Sequence, residues 1–92
     1  MTKAEIINEM AIATGYDKKT LSIAVESFIK IVKGSMVQGE NVYIRGFGSF
    51  ITKSRARKVA RNISTNTSVV VPAHRVPSFK PASEFKAAVA KL

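Results

Sequence analysis

The sequence predicts an α+β domain whose elements follow the order ααβββα. Two amphipathic helical patterns fill about residues 1 to 40, alternating segments with many β-branched residues fill about residues 41 to 81, and a short helical pattern follows at about 83 to 90. The chain has 92 residues and no cysteine. This length predicts one domain, spanning residues 1–92, without disulfide bonds or a thiolate zinc site.

The first two helices have clear start and stop signals. Thr2 and Glu5 match a capping box, in which a hydroxyl and a carboxylate each bind a free backbone N–H. Gly15 is placed to end this helix, predicted at about residues 3 to 13, in a left-handed cap. Asp17 can cap a second helix, which runs over about residues 18 to 38 and stops at Gly39.

The last helix, at about residues 83 to 90, has its start signal in Ser83 or Pro81.

Strand signals dominate the second half of the chain. Residues 41–45 predict a short strand, the glycines on either side of Phe47 predict a turn, and residues 49–61 alternate as a long strand. Pro72 and Pro77 cannot donate to a ladder, so the return strand must lie at an edge or leave the sheet there. In the long strand four cations share one parity and therefore one face, apart from a valine at 59. We call these the cation row: Lys53, Arg55, Arg57 and Arg61.

The distribution of apolar residues predicts an intertwined homodimer. The hairpin over about residues 53 to 76, which we call the arm, is polar and contributes little core. The remainder has fewer than about 70 residues, a size at which one core supplies only about 3–5 kcal/mol. A second copy would cover the broad apolar face of the second helix. The residues assigned to the dimer core are Phe28, Ile29, Val32, Phe47, Phe50 and Phe79.

The charge predicts a polyanionic partner. The chain carries 15 basic and 6 acidic residues, a net charge of +9. No acid lies between Glu40 and Glu84, and eight basic residues lie in that interval. Nucleic acid is the commonest partner of such a surface. RNA is disfavoured because no aromatic platform for stacking bases is apparent. A scaffold that binds a partner protein or an acidic membrane is the alternative.

The remaining chemistry of the sequence argues against an enzyme. His74 is the single histidine and has no nearby cysteine or aspartate, so we assign it no role. We expect no catalysis, cofactor, metal or small-molecule substrate. The start MTKAEIINEM lacks the apolar run of a signal peptide, and no apolar stretch approaches the roughly 18–20 residues of a membrane span. We therefore expect a cytoplasmic protein that does not bind a membrane.

The arm tip contains a bulky apolar residue among polar ones. Ile63 follows Arg61 and Asn62 and precedes Ser64, Thr65, Asn66 and Thr67. Minor-groove proteins insert apolar wedges, including isoleucine, between base steps. We therefore interpret Ile63 as a DNA wedge, with Arg61 and Asn62 reaching minor-groove acceptors. The alternative is an isolated exposed apolar residue, which is common on protein surfaces.

Several motifs together resemble the HU/IHF family of bacterial nucleoid proteins. They are RGFGSF at 45–50, RARKVARN at 55–62, VPAHRVPSFKP at 71–81, the last helix and MTKAEIINEMA at the start. The resemblance covers essentially the whole chain. It implies a dimeric body with two β-ribbon arms that wrap DNA through the minor groove, without a cofactor, and that bend and compact it.

The arm tip departs from the family pattern, in which a proline is the wedge. Here Ile63 replaces that proline, and Asn66 replaces a glycine. The resemblance also implies that the body clamps the flanks of the DNA. Including the arm, the predicted DNA-binding residues are Gly46, Gly48, Ser49, Lys53, Arg55, Arg57, Lys58, Arg61, Asn62, Ile63, Arg75, Lys80 and Lys86. Lys3 fits a solvated lysine better.

We thus expect a nucleoid-associated homodimer that bends double-stranded DNA, including nicked or distorted duplexes, with little sequence preference. One alternative is a sequence-preferring, IHF-like subunit that reads DNA deformability. Another is a basic dimer that coats DNA without kinking it.

Overall fold

The computed structural model describes residues 1–62 and 64–92, and it confirms the α+β class and the predicted order of helices and strands. The chain separates into two compact units, Met1–Gly34 and Ser35–Leu92. Each long strand of the predicted hairpin is divided in two. The elements are α1 (Lys3–Thr14), α2 (Lys18–Val37), β1 (Val42–Ile44), β2 (Gly48–Arg55), β3 (Lys58–Asn62), β4 (Thr67–Val71), β5 (His74–Pro81) and α3 (Ser83–Ala90).

Thr2 and Gly15 cap α1 as predicted, but the second half of the capping box differs, because the Glu5 carboxylate accepts from the Thr2 hydroxyl at 3.2 Å and not from a backbone N–H. The hydroxyl of Thr2 accepts a hydrogen bond from the backbone N–H of Glu5, at 3.2 Å. Gly15 adopts a left-handed conformation, with φ of 79°, and donates its N–H to the carbonyl of Ala11. A glycine is favoured at that position because a Cβ is strained at positive φ.

Asp17 caps α2 as predicted. Its carboxylate accepts hydrogen bonds from the side-chain hydroxyl of Thr20 at 2.6 Å and from the backbone N–H of Thr20 at 3.2 Å. These two bonds, the side-chain one foremost, stabilise the charged form and lower the pKa of Asp17 below its ordinary value.

The bounds of α3 match the prediction of about residues 83 to 90. The N-cap is Ala82, which has no side-chain oxygen to bind the first free N–H groups. Ser83 is the first helical residue rather than the cap, and Pro81 ends β5. The helix therefore begins at the predicted residue without a side-chain cap.

The strands form two antiparallel sheets. A three-stranded sheet has the order β1-β2-β5, and a separate two-stranded ribbon pairs β3 with β4. Pro77 lies within β5, an edge strand of the three-stranded sheet, which agrees with the edge position predicted for a proline.

The prediction of one continuous strand over residues 49–61 is wrong. The strand is interrupted at Ala56 and Arg57. The last pair of the three-stranded sheet is Arg55 with His74, and the first pair of the ribbon is Lys58 with Val71. Two residues therefore intervene on each side, and the register resumes unchanged. Pro72 is one of these residues, and its missing N–H removes a ladder bond.

Four phenylalanines pack between the sheet and α3. The ring of Phe47 lies 5.0 Å from that of Phe79 and 5.6 Å from that of Phe85, centroid to centroid. Phe50 lies 5.1 Å from Phe79. These tilted and stacked arrangements are favourable for aromatic pairs. The packing supports assigning Phe47, Phe50 and Phe79 to a core rather than to base stacking.

A single chain buries little of its apolar surface. Among the described residues, the buried large side chains are Ile7, Leu21 and Val32. Val32 is thus already buried within one chain. Other residues assigned to the dimer core stay open, with Phe28 47% exposed and Phe47 43% exposed.

Candidate nucleic-acid interface

The β3–β4 ribbon forms an exposed, basic surface. Among its strand residues only Ala60 and Val71 are even half-buried. Among the described residues no further strand pairs with the ribbon, so both of its edges are open. Lys58 and Arg61 lie on β3, and the interrupted segment contributes Arg57. This element can approach a narrow groove because nothing else is hydrogen-bonded along its edges.

The cation row lies partly on β2 and partly on the ribbon. Lys53 and Arg55 are two residues apart and so lie on one face of β2. Arg61 lies on β3, where the strand pairing continues the register of β2 and β5. Lys58 has the opposite parity and lies on the other face of the ribbon. The structure therefore places the row across two sheets joined by the interruption at Ala56 and Arg57.

Arg75 lies on the face opposite Lys53 and Arg55. Its Cα is paired with Ser54, and its guanidinium donates to the hydroxyl of Thr52 at 2.5 Å. From the sequence, Arg75 was predicted to bind DNA together with the other cations. The register separates it from them because facing residues in an antiparallel pair share one side of the sheet.

The arm tip is organised by its own side chains. The guanidinium of Arg61 donates to the side-chain oxygen of Asn66, which has a positive φ of 54°. The side-chain oxygen of Asn62 accepts from the backbone N–H of Ser64 at 3.1 Å and from its hydroxyl at 2.9 Å. These contacts orient Arg61 along the tip. Because the side-chain oxygen of Asn62 is already bonded, its side-chain NH2 group is what it can offer to DNA. Ile63, the predicted wedge, lies outside the described residues.

The cations of the second unit have few anions near them. Residues 35–92 contain ten basic and two acidic side chains. Within residues 1–62 and 64–92, the one salt bridge joins Lys3 to Glu26 at 2.9 Å, and it belongs to the first unit. The positive charge of the arm is therefore available to a polyanion.

A second group of polar residues lies at the base of the three-stranded sheet. Tyr43, Ser49 and Lys80 are neighbours across β1, β2 and β5 and so share one face. They line a depression of about 460 Å³ together with Arg45, Gly46, Gly48 and Ser83. Of the predicted body contacts, the structure brings together Gly46, Gly48, Ser49 and Lys80. Lys86 lies on α3, outside this lining.

The depression also has a phenol and a guanidinium that the sequence did not assign to DNA binding. Tyr43 and Arg45 line it. A Cβ built on Gly46, whose φ is 82°, would lie 2.7 Å from a carboxylate oxygen of Glu84. A negative group therefore lies against the backbone that was expected to meet phosphate. This contact brings the turn before β2 against α3. Residues 46 and 84 are far apart in the sequence, so no local pattern could have predicted the contact.

Residues 1–62 and 64–92 offer neither a metal-binding cluster nor a membrane-spanning helix. No cluster of three or more histidine, cysteine, aspartate or glutamate side chains is placed to hold a metal ion. None of the helices in this part of the chain is both long enough and apolar enough to cross a membrane.

Comparison with solved structures supports the architecture over the full chain. An HU–DNA cocrystal structure from Anabaena superposes with a TM-score of 0.93 at 29% identity and covers 100% of both chains. The V42I mutant of HU from Thermotoga maritima superposes with a TM-score of 0.73 at 26% identity, covering 97% of this chain and 99% of the other.

Sequence comparisons identify the family. A chain named DNA-binding protein HU, from Clostridium pasteurianum, is 40% identical over 99% of this chain and 100% of its own length. DNA-binding protein HU 1 from Bacillus subtilis is 36% identical over 98% of each chain. The sequence model described as "Bacterial DNA-binding protein" matches residues 1–90. It describes DNA-binding proteins rather than enzymes, which confirms the prediction of a non-enzymatic protein. The chain therefore belongs to the HU family of bacterial DNA-binding proteins.

Proposed function

We propose that the chain acts as a homodimer that binds double-stranded DNA through the minor groove, and that bends and compacts it with little sequence preference. Its place of action is then the nucleoid, in the bacterial cytoplasm. The observation that carries the proposal is the exposed basic arm, since no acid lies between Glu40 and Glu84. The cocrystal of the Anabaena relative with DNA supports the choice of partner.

The dimer is supported by the apolar surface that one chain leaves uncovered. Phe28 and Ile29 are exposed on α2, and Phe47 and Phe79 are exposed beside the sheet. Each of these two groups is an exposed apolar patch of the kind that marks an interaction site. A second copy can cover them, and the resulting dimer has two arms.

The arm suits a groove because it is a narrow two-stranded ribbon. Cations along it neutralise phosphates and release counterions, which supplies most of the non-specific affinity. Val59 and Val70 are cross-strand partners and are exposed beside these cations. They offer apolar contact to the sugars that line a groove.

Ile63 is the wedge in this proposal. Insertion of an apolar side chain unstacks one base step at a cost of a few kcal/mol, and the bend allows additional contacts that offset this cost. Support comes from the sequence position of Ile63 between the tip residues Asn62 and Ser64. The hydrogen bonds of Asn62 to Ser64 also reduce the number of groups free to read base edges, which supports weak sequence preference.

The proposal is tested by a DNA-bending titration. A duplex labelled at both ends for energy transfer is titrated with the parent protein, with Ile63→Ala and with Val69→Ala, in intact and nicked form. We expect Ile63→Ala to bind with a similar salt dependence but to bend the duplex less, because the kink needs the wedge. Val69→Ala, which removes an exposed β-branched side chain elsewhere on the arm, should bend like the parent.

Each alternative has its own outcome. Equal bending by the parent and Ile63→Ala would exclude the wedge. Binding with a steep salt dependence but no bending by any of the proteins would favour a dimer that coats DNA. A large spread of affinities over duplexes of different sequence would favour an IHF-like role.

A further inference from the structure

His74 occupies the junction between the three-stranded sheet and the ribbon. It is the first residue of β5, and its Cα partner is Arg55, the last residue of β2. Beyond this pair the ladder is interrupted at residues 56–57 and 72–73, and it resumes in the ribbon. His74 is exposed. Because directly opposite residues share a face, the imidazole lies on the face of Arg55 and Lys53.

The hydrogen bond of His74 determines what the neutral ring can do. Nδ1 lies 2.9 Å from the carbonyl oxygen of Pro72. A carbonyl only accepts, so Nδ1 carries the proton in this bond. A neutral imidazole has one N–H, and the Pro72 carbonyl uses it. Nε2 then has a lone pair and cannot donate to a phosphate oxygen. A bond from His74 to phosphate therefore requires a second proton, on Nε2.

The charged residues nearest to His74 in the strand pairing are cationic. Arg55 faces it from β2, and Lys53 and Arg57 flank Arg55. Arg75 is the next residue along β5 but lies on the opposite face. The acid nearest to His74 in the sequence is Glu84, in α3. Pro81, at the other end of β5, is seven residue steps from His74, which is about 23 Å at the rise of a β-strand.

We propose that His74 is a proton-dependent phosphate contact at the base of the arm. On this proposal, which rests on the proposed function, a DNA phosphate lying along the cation row receives a hydrogen bond from Nε2–H of the imidazolium. Nδ1–H keeps its bond to the Pro72 carbonyl. The proton on Nε2 comes from solvent, so binding of DNA takes up as much as one proton per arm.

The linkage has a definite sign. A phosphate stabilises the charged ring, so the complex holds the proton to a higher pH than the free protein does. Affinity is then higher at low pH and falls as the pH rises through the titration of the complex. If DNA raises the titration midpoint of His74 by one pH unit, the affinity for DNA at low pH increases about tenfold per arm.

Two variants and one spectroscopic measurement test the proposal. His74→Asn keeps an N–H donor for the Pro72 carbonyl but cannot titrate, and His74→Lys carries a constant charge. Affinity of the three full-length proteins for one fluorescent intact duplex is measured from pH 5.5 to 8.0 at constant ionic strength. We expect the parent to match His74→Asn at high pH and to approach His74→Lys at low pH. Both variants should show flat profiles relative to the parent.

Nuclear magnetic resonance gives an independent readout. His74 is the single histidine, so its ring signals need no assignment. We expect their titration midpoint to rise when the duplex is added. Equal pH profiles for all three proteins, or a midpoint that DNA does not raise, would overturn the inference and leave the proposed function standing. Failure of all three to bind the duplex in a salt-dependent manner would overturn both.

Discussion

At the scale of single residues, Gly48 is required by close backbone contact. A Cβ at this position would lie 2.5 Å from the carbonyl oxygen of Lys80 and 2.7 Å from the ring of Phe79. One of these neighbours is backbone and the other is a packed ring, so neither moves easily. The glycine thus brings β2 against β5 where the sheet meets the phenylalanine cluster.

We expect Gly48→Ala to lower the free energy of unfolding by about 1–3 kcal/mol, the usual cost of overpacking. Chemical denaturation measures the change. Gly34→Ala is the matched control, since a Cβ there has no neighbour within 4 Å. In a helix interior this change should stabilise the protein by about 0.5–1 kcal/mol. Equal effects of the two substitutions would contradict the steric explanation.

At the scale of elements, the arm is two sheets joined in register rather than one long hairpin. The alternation of residues 49–61 predicted correctly that Lys53 and Arg55 share one face of β2, and the pairing register is the same in the ribbon. Arg57 lies in the interruption, outside both strands. The alternation did not predict the interruption, which depends on where Pro72 lies on the opposite strand. Strand pairing depends on residues far apart in the sequence, so the pattern of one strand cannot predict where its pairing is interrupted.

Removal of one arm cation should reduce the salt dependence of DNA binding by the amount expected for one lost phosphate contact. Arg57 lies in the interruption, is exposed and makes no salt bridge among the described residues. If it contacts one phosphate, Arg57→Gln should reduce the slope of log affinity against log salt by about 0.9 per arm. Filter binding or anisotropy at several salt concentrations measures the slope.

Lys18→Gln is the control for that experiment. It removes the same charge from the first turn of α2 rather than from the arm. We expect its slope to match the parent. A reduction as large as that of Arg57→Gln would mean that net charge, and not the arm, determines the affinity.

At the scale of the whole molecule, the predicted shortage of core is evident. The chain has 46% hydrophobic residues, yet the described residues bury few large apolar side chains fully. A small domain with so little buried surface is marginal by itself. Association with a second copy then contributes to folding, so stability depends on protein concentration.

We expect the melting temperature to rise with protein concentration for the parent protein. Phe28→Lys should weaken the dimer, because it places a charge in the apolar face of α2, and should lower both the melting temperature and the mass seen by sedimentation. Leu92→Lys, at a fully exposed position, should leave both unchanged. A melting temperature independent of concentration, with a monomeric mass, would contradict the dimer.

The sequence by itself determined the helix caps at Thr2, Gly15 and Asp17, the class of fold and the basic character of the arm. These are local properties, because a cap or a strand face depends on residues a few positions apart. Only the tertiary structure decided that Arg75 turns away from the cation row, that Glu84 lies against Gly46 and that His74 faces Arg55. Each of these depends on which distant segment lies opposite, and cross-strand register and packing set that relation.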